Sequence, residues 1–300
     1  MPVSLHFPKH TAWTFSLPPH TRWPMLLRWI DRHEQMVYRL EDDRLKLWLP
    51  AEVGDGFLTL APQSDTALGL ELHHNGSMQP PQVEAFLGEW WDLTRDLEPF
   101  YQRFRTDPLL QASLRQNHGA RIVGFPDLFE ALVIGILGQQ VNVAFAYTLK
   151  QRLTKAYGRA GEWEGATWWR FPRPADLVDV EVATLREMQI SQRKAEYLRG
   201  VAQAMAQGTL SKASLVQRPF TEQQATLTAL RGIGPWTAQY VCLKCLHQVR
   251  AFPAGDAGLQ NNVKRLLHMD RKPSVAELQE LAQAWAGWEA YATWFLWMSR

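Results

Sequence analysis

The feature that most constrains this chain is Arg231-Gly232-Ile233-Gly234-Pro235, set between two segments of helical period. Upstream, Thr221 and Gln224 have the spacing of a capping box, which predicts a helix through Leu230. Downstream, Pro235 occupies the first helical position that proline prefers. The order is helix, glycine turn, helix. Two glycines let the backbone turn tightly and expose its N–H groups at the start of the second helix, where the dipole favours an anion. A Rossmann fingerprint needs a preceding strand and a third glycine where Thr237 stands, and neither is present. A plain αα-hairpin with a glycine C-cap has the same local sequence, so the surroundings must decide between packing and anion binding.

Charge is the first of those surroundings. The 300 residues carry a net charge of +2, yet residues 231–272 hold seven basic and two acidic side chains. A solvated helix face also carries charge, but a local basic stripe beside a glycine hairpin suits a phosphate backbone. The second is Phe252-Pro253-Ala254-Gly255-Asp256, which reads as a loop ending where the next helix needs an N-cap. Asp256 there is a capping residue on structural grounds alone. A carboxylate at a helix N-terminus also has its negative charge favoured by the dipole, and it can stabilise an oxocarbenium-like transition state or orient a water.

The rest of the chain falls into two parts. Residues 1–81 read as an α+β domain: a helix over Arg22–His33, then strands at Met36–Leu40, Arg44–Leu49, Phe57–Leu60 and Ala67–His73 in an antiparallel meander. Gln79-Pro80-Pro81 marks the boundary, and residues 82–300 have helical period and helix punctuation throughout. Val83–Phe104 reads as a long amphipathic run broken or kinked near Pro99. Asp127 with Glu130, and Ser274 with Glu277, have capping-box spacing, and Asn142 stands as an N-cap for a helix ending at Gly158. The expected fold is mainly α: an antiparallel-sheet domain followed by an all-helical domain that contains the glycine hairpin.

Composition narrows the class further. With 46% hydrophobic and 21% charged residues the chain is neither disordered nor fibrous. Two cysteines, Cys242 and Cys245, exclude a disulfide scaffold and a four-cysteine iron–sulfur site, and their i, i+3 spacing fits buried structural thiols. The apolar stretches are too short to span a bilayer, and Met1–His6 has neither the basic nor the apolar region of an export signal. A cytoplasmic protein with no membrane contact is expected. Fourteen tryptophans are present, four of them within the last sixteen residues. Core packing explains most of them, and an aromatic pocket explains some.

Leu230-Arg231-Gly232-Ile233-Gly234-Pro235-Trp236-Thr237-Ala238-Gln239-Tyr240, followed twenty residues after Trp236 by Asp256, resembles the helix-hairpin-helix and Gly/Pro-Asp signature of a DNA glycosylase superfamily. Within it the chain is most similar to the AlkA-type alkylation-repair glycosylases (DNA-3-methyladenine glycosylase II). Further matches are Phe125–Leu132, Ile136-Leu137-Gly138-Gln139-Gln140-Val141 and the Trp-rich C-terminus with Trp297. The resemblance covers residues 82–300 in detail and the N-terminal part loosely.

The resemblance implies roles for particular residues. Asp256 would be the catalytic carboxylate. Gly232, Ile233, Gly234 and Thr237 would bind DNA, the hairpin by main-chain N–H groups to a phosphate. The carbonyls of Thr228 and Leu230 could hold an alkali cation, with no other metal and no cofactor required. Trp236, Tyr240 and Trp297 would line the pocket for a flipped base, and the Gln139-Gln140 loop would fill the gap in the duplex. Lyases of the superfamily carry a lysine where Trp236 stands, so this chain is expected to be monofunctional. Its partner would be double-stranded DNA with damaged bases, bound by a monomer. Rings of Trp and Tyr can favour a cationic, alkylated base by about 0.5–2 kcal/mol per contact. Two rivals share some of these features. One is a non-catalytic helix-hairpin-helix DNA-binding or damage-sensing protein; the other is a glycosylase for other damaged bases.

Overall fold

The computed structural model describes residues 2–31, 35–76 and 78–299. Strands β1 (Val3–Ser4) and β2 (Lys9–Ser16) come first, followed by helix α1 (Trp23–Ile30). Strands β3 (Arg39–Glu41), β4 (Arg44–Trp48), β5 (Gly56–Ser64) and β6 (Ala67–His74) complete a five-stranded antiparallel sheet in the order β2-β6-β5-β4-β3. Its inner face shows the period of two expected of a half-buried sheet. Leu45, Leu47, Leu58, Leu60, Leu68, Leu70 and Leu72 all point into the core. The expected helix over Arg22–His33 is α1, with 32 and 33 outside the described residues. Strand β2 has no counterpart in the sequence reading. It is an edge strand with no side chain fully buried, so its pattern is weak.

Helices α2 (Pro80–Trp90), α3 (Glu98–Phe104), α4 (Gln111–Gln116), α5 (Leu128–Leu137) and α6 (Val143–Tyr157) follow. Of the two expectations for Val83–Phe104 the run is broken, not kinked: residues 91–97 separate two helices, and Pro99 lies in the first turn of the second. After Gly158 the chain forms a β-hairpin, β7 (Arg159–Trp163) and β8 (Ala166–Arg170), where helix alone was expected. The alternation Thr167-Trp168-Trp169-Arg170 and the Glu164-Gly165 turn carry the signal. Strand β1 pairs parallel to β7, and Phe7, Trp48, Phe57 and Trp168 form a second core between this small sheet and the outer face of the large one.

The remaining helices are α7 (Val182–Glu187), α8 (Gln192–Ala206), α9 (Lys212–Val216), α10 (Phe220–Thr228), α11 (Pro235–Lys244), α12 (Ala257–Leu266), α13 (Val275–Ala282) and α14 (Glu289–Met298). Among the described residues no helix is long and apolar enough to cross a membrane. Helix α5 is buried at nine of its ten positions and packs against α6, α8 and α11, which makes it the axis of the helical part. Burial of each of its Leu, Ile and Phe side chains contributes about 1.5–3 kcal/mol. Asp127 caps it, accepting from the N–H groups of Phe129 and Glu130. Glu130 does not close a reciprocal box; it turns to Lys150 at 2.5 Å. Ser274 and Glu277 do form the expected box. The Thr221–Gln224 box does not form, because α10 begins at Phe220 with Pro219 as N-cap and places Thr221 within the first turn.

Candidate active site and nucleic-acid interface

The glycine turn sits between α10 and α11 as the sequence requires. Gly232 has φ +91°, and a Cβ there would meet the Tyr197 ring at 2.1 Å, so conformation and space both demand glycine. Gly234 is the N-cap of α11 without any side-chain cap, Pro235 follows it, and the first intrahelical bond runs from Ala238 N to the Gly234 carbonyl. The N–H groups of Trp236 and Thr237 thus have no acceptor within the helix, which is the arrangement an anion can complete. The Ile233 N–H is already given to the Leu230 carbonyl at 3.0 Å, and the Ile233 side chain is buried. That bond also engages one of the two carbonyls proposed for a cation.

A side chain from elsewhere holds the turn in place. Gln139 Nε2 donates to the Gly232 carbonyl at 2.8 Å and to Thr237 Oγ1 at 3.1 Å. The Thr237 side chain is therefore turned inward, with 2% exposure, and only its main chain faces the turn. Gln140 is different: it is exposed, with a left-handed φ of +55°. The two glutamines grouped by sequence thus divide into a clamp and a free tip.

Asp256 is the N-cap of α12, and its carboxylate is held by three donors from three elements. Oδ1 accepts from Leu259 N at 2.7 Å and from the Trp297 indole Nε1 at 2.9 Å. Oδ2 accepts from the Trp236 indole Nε1 at 3.3 Å. The loop before it is fixed to α11 by Gln239, whose Oε1 accepts from Phe252 N at 2.8 Å. Asn262 in turn ties α12 to α14 by donating to the Leu296 carbonyl at 2.9 Å. Trp236 and Tyr240 stack with ring centroids 5.5 Å apart, and Tyr240 lies 6.4 Å from Trp297. Burial pushes the Tyr240 phenol well above its usual value, with Tyr147, Asp256 and Glu130 adding to the shift. All three aromatic residues and the carboxylate therefore meet at one place.

These features coincide with a known family. Residues 133–287 match the model of the HhH-GPD superfamily base excision DNA repair proteins, and residues 26–132 that of the 8-oxoguanine DNA glycosylase N-terminal domain. The chain belongs to the HhH-GPD superfamily of base excision DNA repair proteins. A DNA-3-methyladenine glycosylase of Bacillus subtilis is 42% identical over 72% of this chain and 71% of that protein. DNA-3-methyladenine glycosylase 2 of Escherichia coli is 31% identical over 60% of each chain. In fold, the 3-methyladenine DNA glycosylase of Archaeoglobus fulgidus superposes with a TM-score of 0.82 at 22% identity, over 95% of this chain and 97% of the other.

The basic stripe of this HhH-GPD chain is smaller in space than in sequence. Lys244 is buried, its ammonium donating to the Val123 carbonyl and lying 4.5 Å and 4.9 Å from the Trp294 and Trp29 ring centroids. Arg231 pairs with Glu196 at 2.9 Å, and Arg271 with Glu277 at 2.7 Å. Arg250, Arg265 and Lys272 remain exposed, with Lys264 partly so. Cys242 and Cys245 are buried, and desolvation pushes both thiols up to about 12. They are inert packing residues.

The sequence reading missed Trp29. Its ring stacks on Trp297 at 6.3 Å and 25°, and it touches Trp294 at 4.0 Å. A residue of α1 thus buttresses the indole that binds Asp256. Gln239 was likewise passed over, although a polar residue inside the signature helix was the available cue. For Trp29 no local cue exists, because its partners lie 265 and 268 positions away.

Proposed function

We propose that this HhH-GPD protein is a monofunctional DNA glycosylase that flips alkylated bases of the 3-methyladenine type out of duplex DNA and releases them by hydrolysis. One observation carries the reading: the Asp256 carboxylate is fixed by two indole N–H groups and a helix N-terminus inside a ring of Trp236, Tyr240 and Trp297. Alkylation at N3 or N7 makes a purine cationic and its glycosidic bond weak. The aromatic faces favour the cation, and the carboxylate favours the positive charge that develops on the sugar as the bond breaks. Water then adds to C1′, gives its proton to Asp256 or to solvent, and the base departs with the bonding electron pair. Position 236 bears an indole and not an amine, so no Schiff base with the sugar forms there and the abasic strand stays uncut.

DNA is held by its backbone. The open N–H groups of the 232–237 turn take a phosphate, the exposed Arg250, Arg265 and Lys272 add sequence-independent attraction, and Gln140 fills the gap left by the extruded nucleotide. A second reading, excision of oxidised bases, is favoured by the match of residues 26–132 to an 8-oxoguanine glycosylase domain.

The test is release of free base from oligonucleotides bearing defined lesions. Wild-type protein should release 3-methyladenine and leave 8-oxoguanine, and Asp256→Asn should release neither while keeping DNA affinity. Base release by Asp256→Asn at the wild-type rate would overturn the assignment. Release of 8-oxoguanine in place of 3-methyladenine would favour the second reading.

A further inference from the structure

The outer face of the five-stranded sheet carries a group of side chains that base excision does not use. In the β2–β6 ladder His10 stands opposite His73, and Ala12 opposite Glu71. Residues two apart on a strand share a face, so His10, His73 and Glu71 rise from the same side. The intervening Leu72 and the neighbouring Leu70 point into the core on the other side. The two imidazole centroids are 4.7 Å apart with planes at 40°. A ring nitrogen of each histidine and a carboxylate oxygen of Glu71 all lie within 4.8 Å of one another.

The surroundings favour this convergence. His73 is half-buried, with the Trp163 ring of the β7–β8 hairpin against it at 5.2 Å, which restricts where its imidazole can go. On β5 the residues opposite His73 and Glu71 are Phe57 and Thr59, so no cation stands across that strand pair to neutralise Glu71. A second group, His20 with Glu98 and His118, differs in kind. His20 uses one ring nitrogen toward Glu98 and the other toward His118, so its donors form a chain rather than converging.

We propose that His10, Glu71 and His73 form a binding site for a divalent transition-metal ion, zinc being the probe of choice. Two imidazoles and one carboxylate are a recognised zinc donor set, and imidazole selects zinc, copper or nickel over magnesium or calcium. Bonds of about 2.0–2.1 Å in a tetrahedron put ligand atoms roughly 3.4 Å apart. The three donors lie within 4.8 Å of one another and would close to that spacing around the ion, leaving a fourth position for water. The ion joins the edge strand β2 to β6.

The test uses the full chain with any polyhistidine tag removed. Calorimetric titration with zinc should show one ion per chain in the micromolar range and no response to magnesium. His10→Ala and His73→Ala should each weaken binding at least tenfold, Glu71→Gln by less, and His118→Ala not at all. Copper(II) bound at the same stoichiometry should show two nitrogen couplings by electron paramagnetic resonance, and one in His10→Ala. Circular dichroism checks that the variants are folded, and 3-methyladenine release should be unchanged in them. Equal zinc affinity in wild type and the His10→Ala/His73→Ala double variant would overturn the proposal, as would absence of binding up to millimolar zinc.

Discussion

Replacing Trp297 by Phe separates the hydrogen bond that this side chain makes to Asp256 from the pocket role proposed for its ring. Phenylalanine keeps an aromatic face in the pocket but removes the Nε1–H that donates to Asp256 Oδ1 at 2.9 Å. The carboxylate would retain the Leu259 N–H at 2.7 Å and the longer Trp236 bond at 3.3 Å. A hydrogen bond to a charged group contributes about 1.5–3 kcal/mol net. If that bond fixes the carboxylate where the sugar charge develops, its loss falls on the barrier, and the rate of base release should drop about 10–150-fold. Trp236→Phe supplies the calibration. It removes the same amount of ring but a weaker bond, so its loss should be several-fold smaller. The measurement is single-turnover release of 3-methyladenine at saturating enzyme, with DNA affinity followed separately by fluorescence anisotropy. A Trp297→Phe rate within about twofold of wild type would refute the positioning role. So would a loss no larger than that of Trp236→Phe, since the ring alone would then account for it.

Other substitutions probe the remaining parts of the site and its support. Gly232→Ala forces a side chain onto φ +91° and into the Tyr197 ring; DNA binding, read by anisotropy, should weaken at least tenfold for every sequence tested. Gln140→Ala should slow excision from duplex DNA by tenfold or more and leave excision from single strands within twofold, because only the duplex has a gap to fill. Asp127 is raised to about 6, chiefly by desolvation and then by Glu130. In the folded chain it therefore keeps a proton that the unfolded chain gives up near pH 4, and wild type loses stability as pH rises from about 4 to about 6. Asp127→Asn does not titrate but offers only one acceptor oxygen to the two N–H groups that Asp127 serves. Its stability relative to wild type should therefore be about 1–3 kcal/mol higher at pH 8 than at pH 4, as thermal unfolding at the two pH values will show.

The parts of the site legible in the sequence are those whose physics is local. A glycine at positive φ, a proline at a first helical turn and an aspartate at an N-cap are each dictated by backbone geometry within a few residues. Gly232, Pro235 and Asp256 accordingly occupy those places. The sheet was legible for the same reason where strands alternate, as Arg44–Trp48 does. What was not legible depends on distant partners. Thr221 and Gln224 have capping spacing, but Pro219 and the packing of α10 start the helix earlier. The β7–β8 hairpin lies within a helical landscape because β1, over 150 residues away, pairs with it. Charge counting gave a basic stripe without showing that Lys244 is buried among aromatic rings or that Arg231 and Arg271 are paired.

The distribution of tryptophan shows how the chain joins packing to chemistry. Trp294 is fully buried, Trp297 one turn on reaches Asp256, and Trp29 from the N-terminal helix packs against both. Lys244 puts its ammonium against Trp29 and Trp294 and, through the Val123 carbonyl, ties that cluster to the segment leading into α5. Helix α5 ends at the loop whose Gln139 clamps the glycine turn. The glycine turn and the Asp256 carboxylate are thus held by one connected set of side chains, so packing alone sets the distance between them. Under the proposed function, that fixed spacing is what a flipped nucleotide would have to match, with its phosphate on the turn and its sugar at Asp256.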